Sequence, residues 1–268
     1  MKLSLITATY QRSHTLKENA LPSVLAQHIS PASFEWIVVN DGADERTAEL
    51  VSDITSPFPV IHISMPHPEM GFGLCHARNR GIEAASGDIV AYLDDDNAIS
   101  PDFAAKTLQF FELHPQLHCA MVRQSRRRDT PTRQGKPFVA PAPDCTTAEL
   151  IRQDELFDSN GFAHRKQGAP DWNPAFRIFC DYEYFLRCIQ RWGRDAFAIH
   201  QAVLVDYVQT TDGIIGQSCY GAWAQELSCL CKAPERYPAI EPHTEHLMQL
   251  AQQWQARAHQ HIKAFQAA

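Results

Sequence analysis

The chain has 268 residues, of which 44% are apolar and 21% charged, with a mean hydropathy of −0.31; these values exclude disorder, collagen-like repetition and coiled coil. Lysine and arginine total 24 against 31 acids, a formal charge of −7, so nucleic acid is not expected as a partner. No apolar run approaches the ~20 residues that span a bilayer, and MKLSLITATYQR is too short and strand-like for a secretory leader, so a cytoplasmic protein is expected. Eight cysteines without CxxC spacing read as reduced thiols, and the close pair Cys229 and Cys231 in LSCLCK reads as buried and inert.

Strand and helix signals alternate through the first half, which points to an α/β fold with a mainly parallel central sheet. Leu3 to Thr9 reads as a strand and Leu16 to Gln27 as a helix with Pro22 near its middle. Phe34 to Val39 is a strand apolar enough for burial on both faces, Glu45 to Ile54 a helix and Val60 to Ser64 a strand. GLCHARNRGIEAAS is a helix that Gly87 is expected to end in a left-handed turn; the strand DIVAYL follows. Ser100 and Pro101 are the expected N-cap and first residue of the helix FAAKTLQFFELH.

The α/β half is expected to close near Val122. Between Arg123 and Cys145 lie six basic residues and four prolines, which predict a long mobile loop. Two readings stay open: a solvated surface loop, or arginines that hold an anionic substrate or make transient contact with an acidic membrane surface at the inner face of the membrane. Asp181 to Trp192 is a helix with Tyr182, Phe185, Leu186 and Ile189 on one face, and AVLVDYV is a strand. His246 to Phe265 puts Leu247, Leu250, Ala251, Trp254, Ala258, Ile262 and Phe265 on one stripe, expected to pack on its own domain, with a homodimer contact as the alternative.

The chemistry concentrates in Asp94-Asp95-Asp96-Asn97, three consecutive carboxylates after the carboxyl end of a buried strand, where open α/β sheets bind ligands. Adjacent anions repel, and a divalent Mn²⁺ or Mg²⁺ shared with substrate phosphates resolves the conflict; an acidic turn is the other reading. Asp41 ends another strand, in VVNDG, where it could accept a hydrogen bond from a base N–H or serve only as a turn residue. Neither GxxxxGK[ST] nor GxGxxG occurs.

The order LSLITATYQR, WIVVNDGADERT, GLCHARNRGIEAASGDIVAYLDDDN and WNPAFRIFCDYEYFLR resembles the large second family of inverting nucleotide-sugar glycosyltransferases, over roughly residues 1 to 210. The last segment is especially similar to the branch that makes spore-coat polysaccharide. The resemblance implies a GT-A, Rossmann-like three-layer sandwich over residues 1–210, with a nucleotide-binding half at 1–122 and an acceptor-binding half at 123–210. Residues 211–268 would be a flexible loop and a C-terminal helical tail. It further implies a nucleotide-diphosphate sugar donor, with UDP favoured, and a glycan or lipid-linked acceptor. Thr9, Tyr10, Arg12, Asp41, Arg78, Asp94 and Asp95 fall at nucleotide-binding positions, and Asp96 with Asp94 at the metal.

Asp181 matches the family's catalytic base, with Glu183 in reserve; apart from the resemblance, it reads as a carboxylate at a helix N-terminus. His164, Arg165 and Trp172 are candidates to meet the acceptor or donor sugar. Three departures stand out: Gln11 where Asn is common, Cys180 where glutamate precedes the base, and QTTDGIIGQ, with Gly213 and Gly216 as hinges, where many relatives place a metal-binding histidine. A sugar nucleotidyltransferase and an inactive nucleotide-sugar-binding scaffold are the alternatives. The first should carry a glycine-rich, lysine-containing phosphate loop that ITATYQRSHT lacks.

Overall fold

The computed structural model describes residues 1–211, 213 and 217–266, with side chains through residue 259. From the N-terminus, β1 (Leu3–Thr9) leads through α1 (Ser13–Thr15), a π-helical turn (Leu16–Ala20) and α2 (Leu21–Leu25) to β2 (Phe34–Asp41). Then follow α3 (Glu45–Ser52), β3 (Val60–Met65), α4 (Gly73–Ala84), β4 (Ile89–Tyr92), β5 (Ala98–Ile99), α5 (Phe103–Leu113) and β6 (Cys119–Arg128). The chain continues with β7 (Phe138–Ala140), α6 (Thr147–Arg152), β8 (Phe162–Arg165), α7 (Cys180–Trp192), β9 (Phe197–Gln209), α8 (Tyr220–Cys231) and α9 (Thr244–Gln266).

The strands form one sheet in the order β3-β2-β1-β4-β8-β6-β9-β5, with β7 paired to β6 off this path. β3, β2, β1 and β4 run parallel; β8 enters antiparallel between β4 and β6. Because successive side chains on a strand face opposite ways, the sheet has a core on each face. Leu3, Leu5, Trp36 and Val38 pack with Phe103 and Leu108 of α5, whereas Ile6, Ile37 and Val39 share the other core with Cys75 of α4 and Phe185 of α7. Helices therefore cover both faces, giving the expected three-layer α/β architecture with its C-terminal helix.

Several local expectations change. The predicted helix from Leu16 is present but runs unbroken from Ser13 to Leu25, and its Leu16–Ala20 stretch winds as a π-helical turn just before Pro22, which has no N–H to give residue 18. The helix at 45 ends at Ser52, two residues early. α4 ends at Ala84 with Ala85 extended, and Gly87 is not left-handed. Glycine is needed at 87 for a different reason: a Cβ there would lie 2.7 Å from the Lys2 carbonyl oxygen and 2.8 Å from Ser4 N. α5 starts at Phe103 rather than Pro101, capped through the Ser100 carbonyl, which accepts from Phe103 N at 2.9 Å.

The largest change is in the arginine-rich segment. Its first part is no mobile loop but the end of β6, paired with β9 on one side and with β7 on the other. The sheet is continuous across residue 122. The long strand is possible because each of its last three arginines has a partner: Arg126 is buried against Asp158 and Tyr207, while Arg127 and Arg128 reach Asp206 and Gln209 of β9.

All eight cysteines are free, but Cys229 is exposed, against expectation, because only Cys231 falls on the inward face of α8. α9 packs against α8 and the core through Leu247 and Ala251, as its stripe predicted. Asp212, Ile214, Ile215 and Gly216 of the expected hinge loop, and the side chains of His261, Ile262 and Phe265, lie outside the described residues. Among the described residues, no helix is long and apolar enough to cross a membrane.

Candidate active site

β2 and β4 flank β1, all three parallel, so their carboxyl ends open on one edge of the sheet. Thr9 ends β1 and Tyr10 and Arg12 come just after it, Asp41 closes β2, and Asp94 to Asp96 come after β4. These residues line a cavity of about 730 Å³, together with Asp181 at the start of α7.

At the β2 end, Asp41 is 3% exposed and accepts from His67 Nδ1 at 3.0 Å through Oδ2, while its Oδ1 is buried without a partner among the described residues. Burial raises its pKa, and His67 opposes the rise. The His67 ring also stacks on Tyr10, centroids 4.3 Å apart at 27°. Gly73 brings α4 against this pair: a Cβ there would overlap Asp41 Oδ2 and sit 2.9 Å from His67 Cε1. A buried carboxylate oxygen without a donor, next to an exposed aromatic ring, can accept from the N–H edge of a planar heterocycle.

The three consecutive aspartates are held apart by different partners. Asp95 is buried, with its Oδ2 accepting from Thr9 Oγ1 at 2.7 Å and Oδ1 3.1 Å from Arg12 Nη1. Burial pushes its pKa up to about 7, against the pull of Arg12. Asp96 keeps 20% of its side chain exposed, pairs with Arg12 Nη2 at 2.8 Å and accepts from Asn97 Nδ2 at 2.9 Å. Burial, then repulsion from Asp94, raises the Asp96 pKa. Asp94 is clamped by Asn160, whose Oδ1 accepts from Asp94 N at 2.7 Å and whose Nδ2 donates to Asp94 Oδ2 at 2.8 Å.

Arg78 joins the two ends of the site. Its guanidinium, 2% exposed, donates to Asp94 Oδ1 at 2.9 Å, Ser159 Oγ at 2.7 Å and Asp181 Oδ1 at 2.6 Å. It lies 4.3 Å over the ring of Trp172. Burial would lower its pKa, but Asp181 and Asp94 outweigh this and hold the charge. Arg78 is thus a buried strut that does not line the cavity. Asp181 remains 23% exposed and faces the cavity, with Cys180 Sγ donating to its Oδ1 at 3.6 Å.

The remaining candidates sit elsewhere. Glu183 points away from the cavity and accepts from Tyr237 and Asn173, since two residues beyond Asp181, about 200° around the helix, the side chain faces the other way. His164 is fully buried between the hydroxyls of Tyr92 and Tyr184, where burial lowers its pKa to about 4. Arg165 spends its guanidinium on the carbonyls of Leu117 and Pro115, and Trp172 is stacked on Tyr184 beneath Arg78. None of these four lines the cavity.

Residues absent from the sequence reading complete the site: His67, Asn160, Ser159 and Asp158, a buried carboxylate raised to about 6 mainly by burial. Asp158-Ser159-Asn160 carries turn-type residues before a short strand, so its sequence signal is that of an ordinary loop.

Donor chemistry sets what cation the site could hold. Among the described residues, no group of three His, Cys, Asp or Glu converges as a metal site. Asp96, with Asp94 beside it, fits a hard cation that shares its coordination sphere with ligand phosphate oxygens, and does not fit a protein-only cage.

A family model described as glycosyl transferase family 2 matches residues 4–180. The uncharacterized glycosyltransferase YwdF of Bacillus subtilis is 32% identical over 118 residues, 44% of this chain and 41% of that protein. Poly-beta-1,6-N-acetyl-D-glucosamine synthase of Staphylococcus epidermidis is 30% identical over 115 residues, 43% of this chain and 26% of its own length. The aligned part is thus less than half of either relative.

Among solved structures, S. aureus TarS 1-349 in complex with UDP-GlcNAc superposes with a TM-score of 0.70 at 15% identity, covering 92% of this chain and 70% of that one. The mannosyltransferase PcManGT from Pyrobaculum calidifontis, in complex with GDP-Man and Mn²⁺, gives 0.64 at 14% identity, covering 96% and 74%. At these identities the likeness is one of fold, the GT-A fold that the sheet order and helix layers describe. With about two thirds of its residues inside the family model, the chain belongs to glycosyl transferase family 2.

Proposed function

We propose that this chain transfers a sugar from a nucleoside-diphosphate sugar, with UDP favoured, to an acceptor hydroxyl in glycan biosynthesis, with inversion at the anomeric carbon. The observation that carries the reading is the single cavity onto which the Asp41 pocket, the Asp94 to Asp96 cluster and Asp181 all open. Asp41 would accept from the base N–H and Tyr10 would stack on the base. Arg12 lies where it can offset diphosphate charge beside Asp96.

For the displacement, Asp181 takes the proton of the acceptor hydroxyl as its oxygen bonds to the anomeric carbon and the bond to the diphosphate oxygen breaks. Arg78 fixes the Asp181 carboxylate through Oδ1, leaving Oδ2 for the acceptor; the contact of Oδ2 with Ser159 N is long, 3.5 Å. Mn²⁺ or Mg²⁺ held by Asp96 and Asp94 would supply Lewis-acid neutralisation of the leaving diphosphate. UDP-GlcNAc in TarS and GDP-Man with Mn²⁺ in PcManGT support a nucleotide-sugar donor and a divalent ion in this fold.

Incubation with Mn²⁺ and a panel of UDP- and GDP-sugars and sugar acceptors tests the reading. Release of nucleoside diphosphate coupled to transfer is expected. Pyrophosphate exchange would instead indicate a nucleotidyltransferase, and binding without turnover a scaffold. Asp181→Asn should retain UDP binding and lose transfer by at least about a hundredfold; comparable activity in that variant removes Asp181 as the base.

A further inference from the structure

Beyond Asp181 the cavity wall turns aromatic. Phe179, two residues before Asp181, lies 5.9 Å from the ring of Trp254 on α9, and Trp254 meets Trp223 on α8 edge to face at 5.5 Å and 87°. All three line the cavity. Trp223 Nε1 donates to Ser218 Oγ at 2.5 Å, so the polar edge of that indole is already engaged by the protein.

The wall is fixed to the proposed base. Glu226, three residues after Trp223 on α8, accepts from the backbone N–H groups of Ile178 and Phe179, each at 2.9 Å, and of Arg177 at 3.2 Å. One helical turn of α8 therefore both presents an indole to the cavity and holds the segment that delivers Asp181. The same cavity is also lined by the polar side chains of Asp181, Arg177 and Gln153.

We propose that Trp223, Trp254 and Phe179 form the acceptor subsite and take a pyranose ring, its C–H face on the aromatic surface and its hydroxyl rim toward Asp181 and Arg177. The assignment rests on the transferase reading above and deepens it by naming a saccharide acceptor. A pyranose has one weakly polar face and a hydroxylated rim, which matches a cavity that offers an aromatic wall together with a carboxylate, a guanidinium and an amide. A lipid chain would cover Asp181 Oδ2, whose contact with Ser159 N is long at 3.5 Å, without giving it a donor.

The full chain is tested by saturation-transfer NMR against methyl α- and β-pyranosides of glucose, galactose, mannose and N-acetylglucosamine, with n-octyl phosphate as the lipid probe. UDP binding by calorimetry monitors the nucleotide pocket. At least one pyranoside should bind. Trp223→Ala and Trp254→Ala should each weaken it by about tenfold at unchanged UDP affinity, and Trp223→Phe and Trp254→Phe should recover most of the loss.

The subsite is overturned if no pyranoside binds the wild type, or if both alanine variants bind as well as it does. It is also overturned if octyl phosphate alone binds in a tryptophan-dependent way. Should an alanine variant lose UDP binding, the phenylalanine variant decides: pyranoside binding lost despite an aromatic ring and intact UDP binding overturns the stacking role. Tryptophan-dependent pyranoside binding without transfer from any nucleotide sugar defeats the transferase reading and leaves the subsite standing.

Discussion

At the scale of single residues, the proposed nucleotide pocket depends on an atom that is absent. Gly73 lets Asp41 and His67 approach α4, so Gly73→Ala should cost about tenfold in UDP affinity, measured by calorimetry, with thermal stability nearly unchanged because the partners it displaces are side chains at a cavity edge. Gln11 adopts φ +54, a left-handed conformation that asparagine tolerates better than glutamine, which gives the departure from the common residue its local meaning.

His164 supplies a pH test. The unfolded chain binds a proton on this ring below about pH 6.5, whereas the folded chain, in which the ring is buried, refuses it until about pH 4. Stability contributed this way is full above the upper value and falls as pH drops through the window from 6.5 to 4. His164→Gln should flatten that part of a urea-denaturation profile; an unchanged slope would show that the ring takes up its proton over the same pH range in the folded and unfolded chains.

At the scale of elements, α7 begins without a side-chain cap of its own. Its entry segment is tied down from another helix, by the Glu226 carboxylate on α8. Glu226→Gln should lower unfolding free energy by about 1 kcal/mol, since an amide is a weaker acceptor than a carboxylate for backbone N–H groups. Because Asp181 follows that segment, kcat should also fall by about tenfold with UDP affinity unchanged; a loss of stability alone would assign Glu226 a purely structural role. β6 teaches a related lesson. Its arginines and the prolines that follow it suggest a loop, yet β9, Asp158 and Tyr207 provide the hydrogen bonds and charge partners that make a strand there.

At the scale of the whole molecule, α8, α9 and the turn Pro238–His243 between them belong to the core. Leu227, Leu230, Ile240 and Leu247 are fully buried in the same cluster as Ile6, Tyr184 and Phe185. Burial of four such side chains is worth roughly 6 to 12 kcal/mol, comparable with the entire net stability of a domain. A chain ending at residue 210 should therefore lose cooperative thermal unfolding, as followed by circular dichroism, even though the family model stops at residue 180. The net charge of −7 acquires a local meaning at this scale: Asp41, Asp94, Asp95, Asp96 and Asp181 gather at one cavity, where Arg12 and the buried Arg78 compensate them.

The alternation of strands and helices, the carboxylates at two strand ends and the apolar stripe of the last helix were all legible in the sequence, because each depends on local periodicity or on residues adjacent in the chain. Only the tertiary structure decided that Arg78 braces Asp94 and Asp181 from beneath, that His164 is buried away from the cavity, and that Glu226 and Trp223 reach the site from α8. These partners lie far apart along the chain, Arg78 and Asp181 by 103 positions, and no local pattern encodes which surfaces the sheet will bring together. Residue type made a charge or a ring available; packing determined whether it met the cavity, the core or another charge.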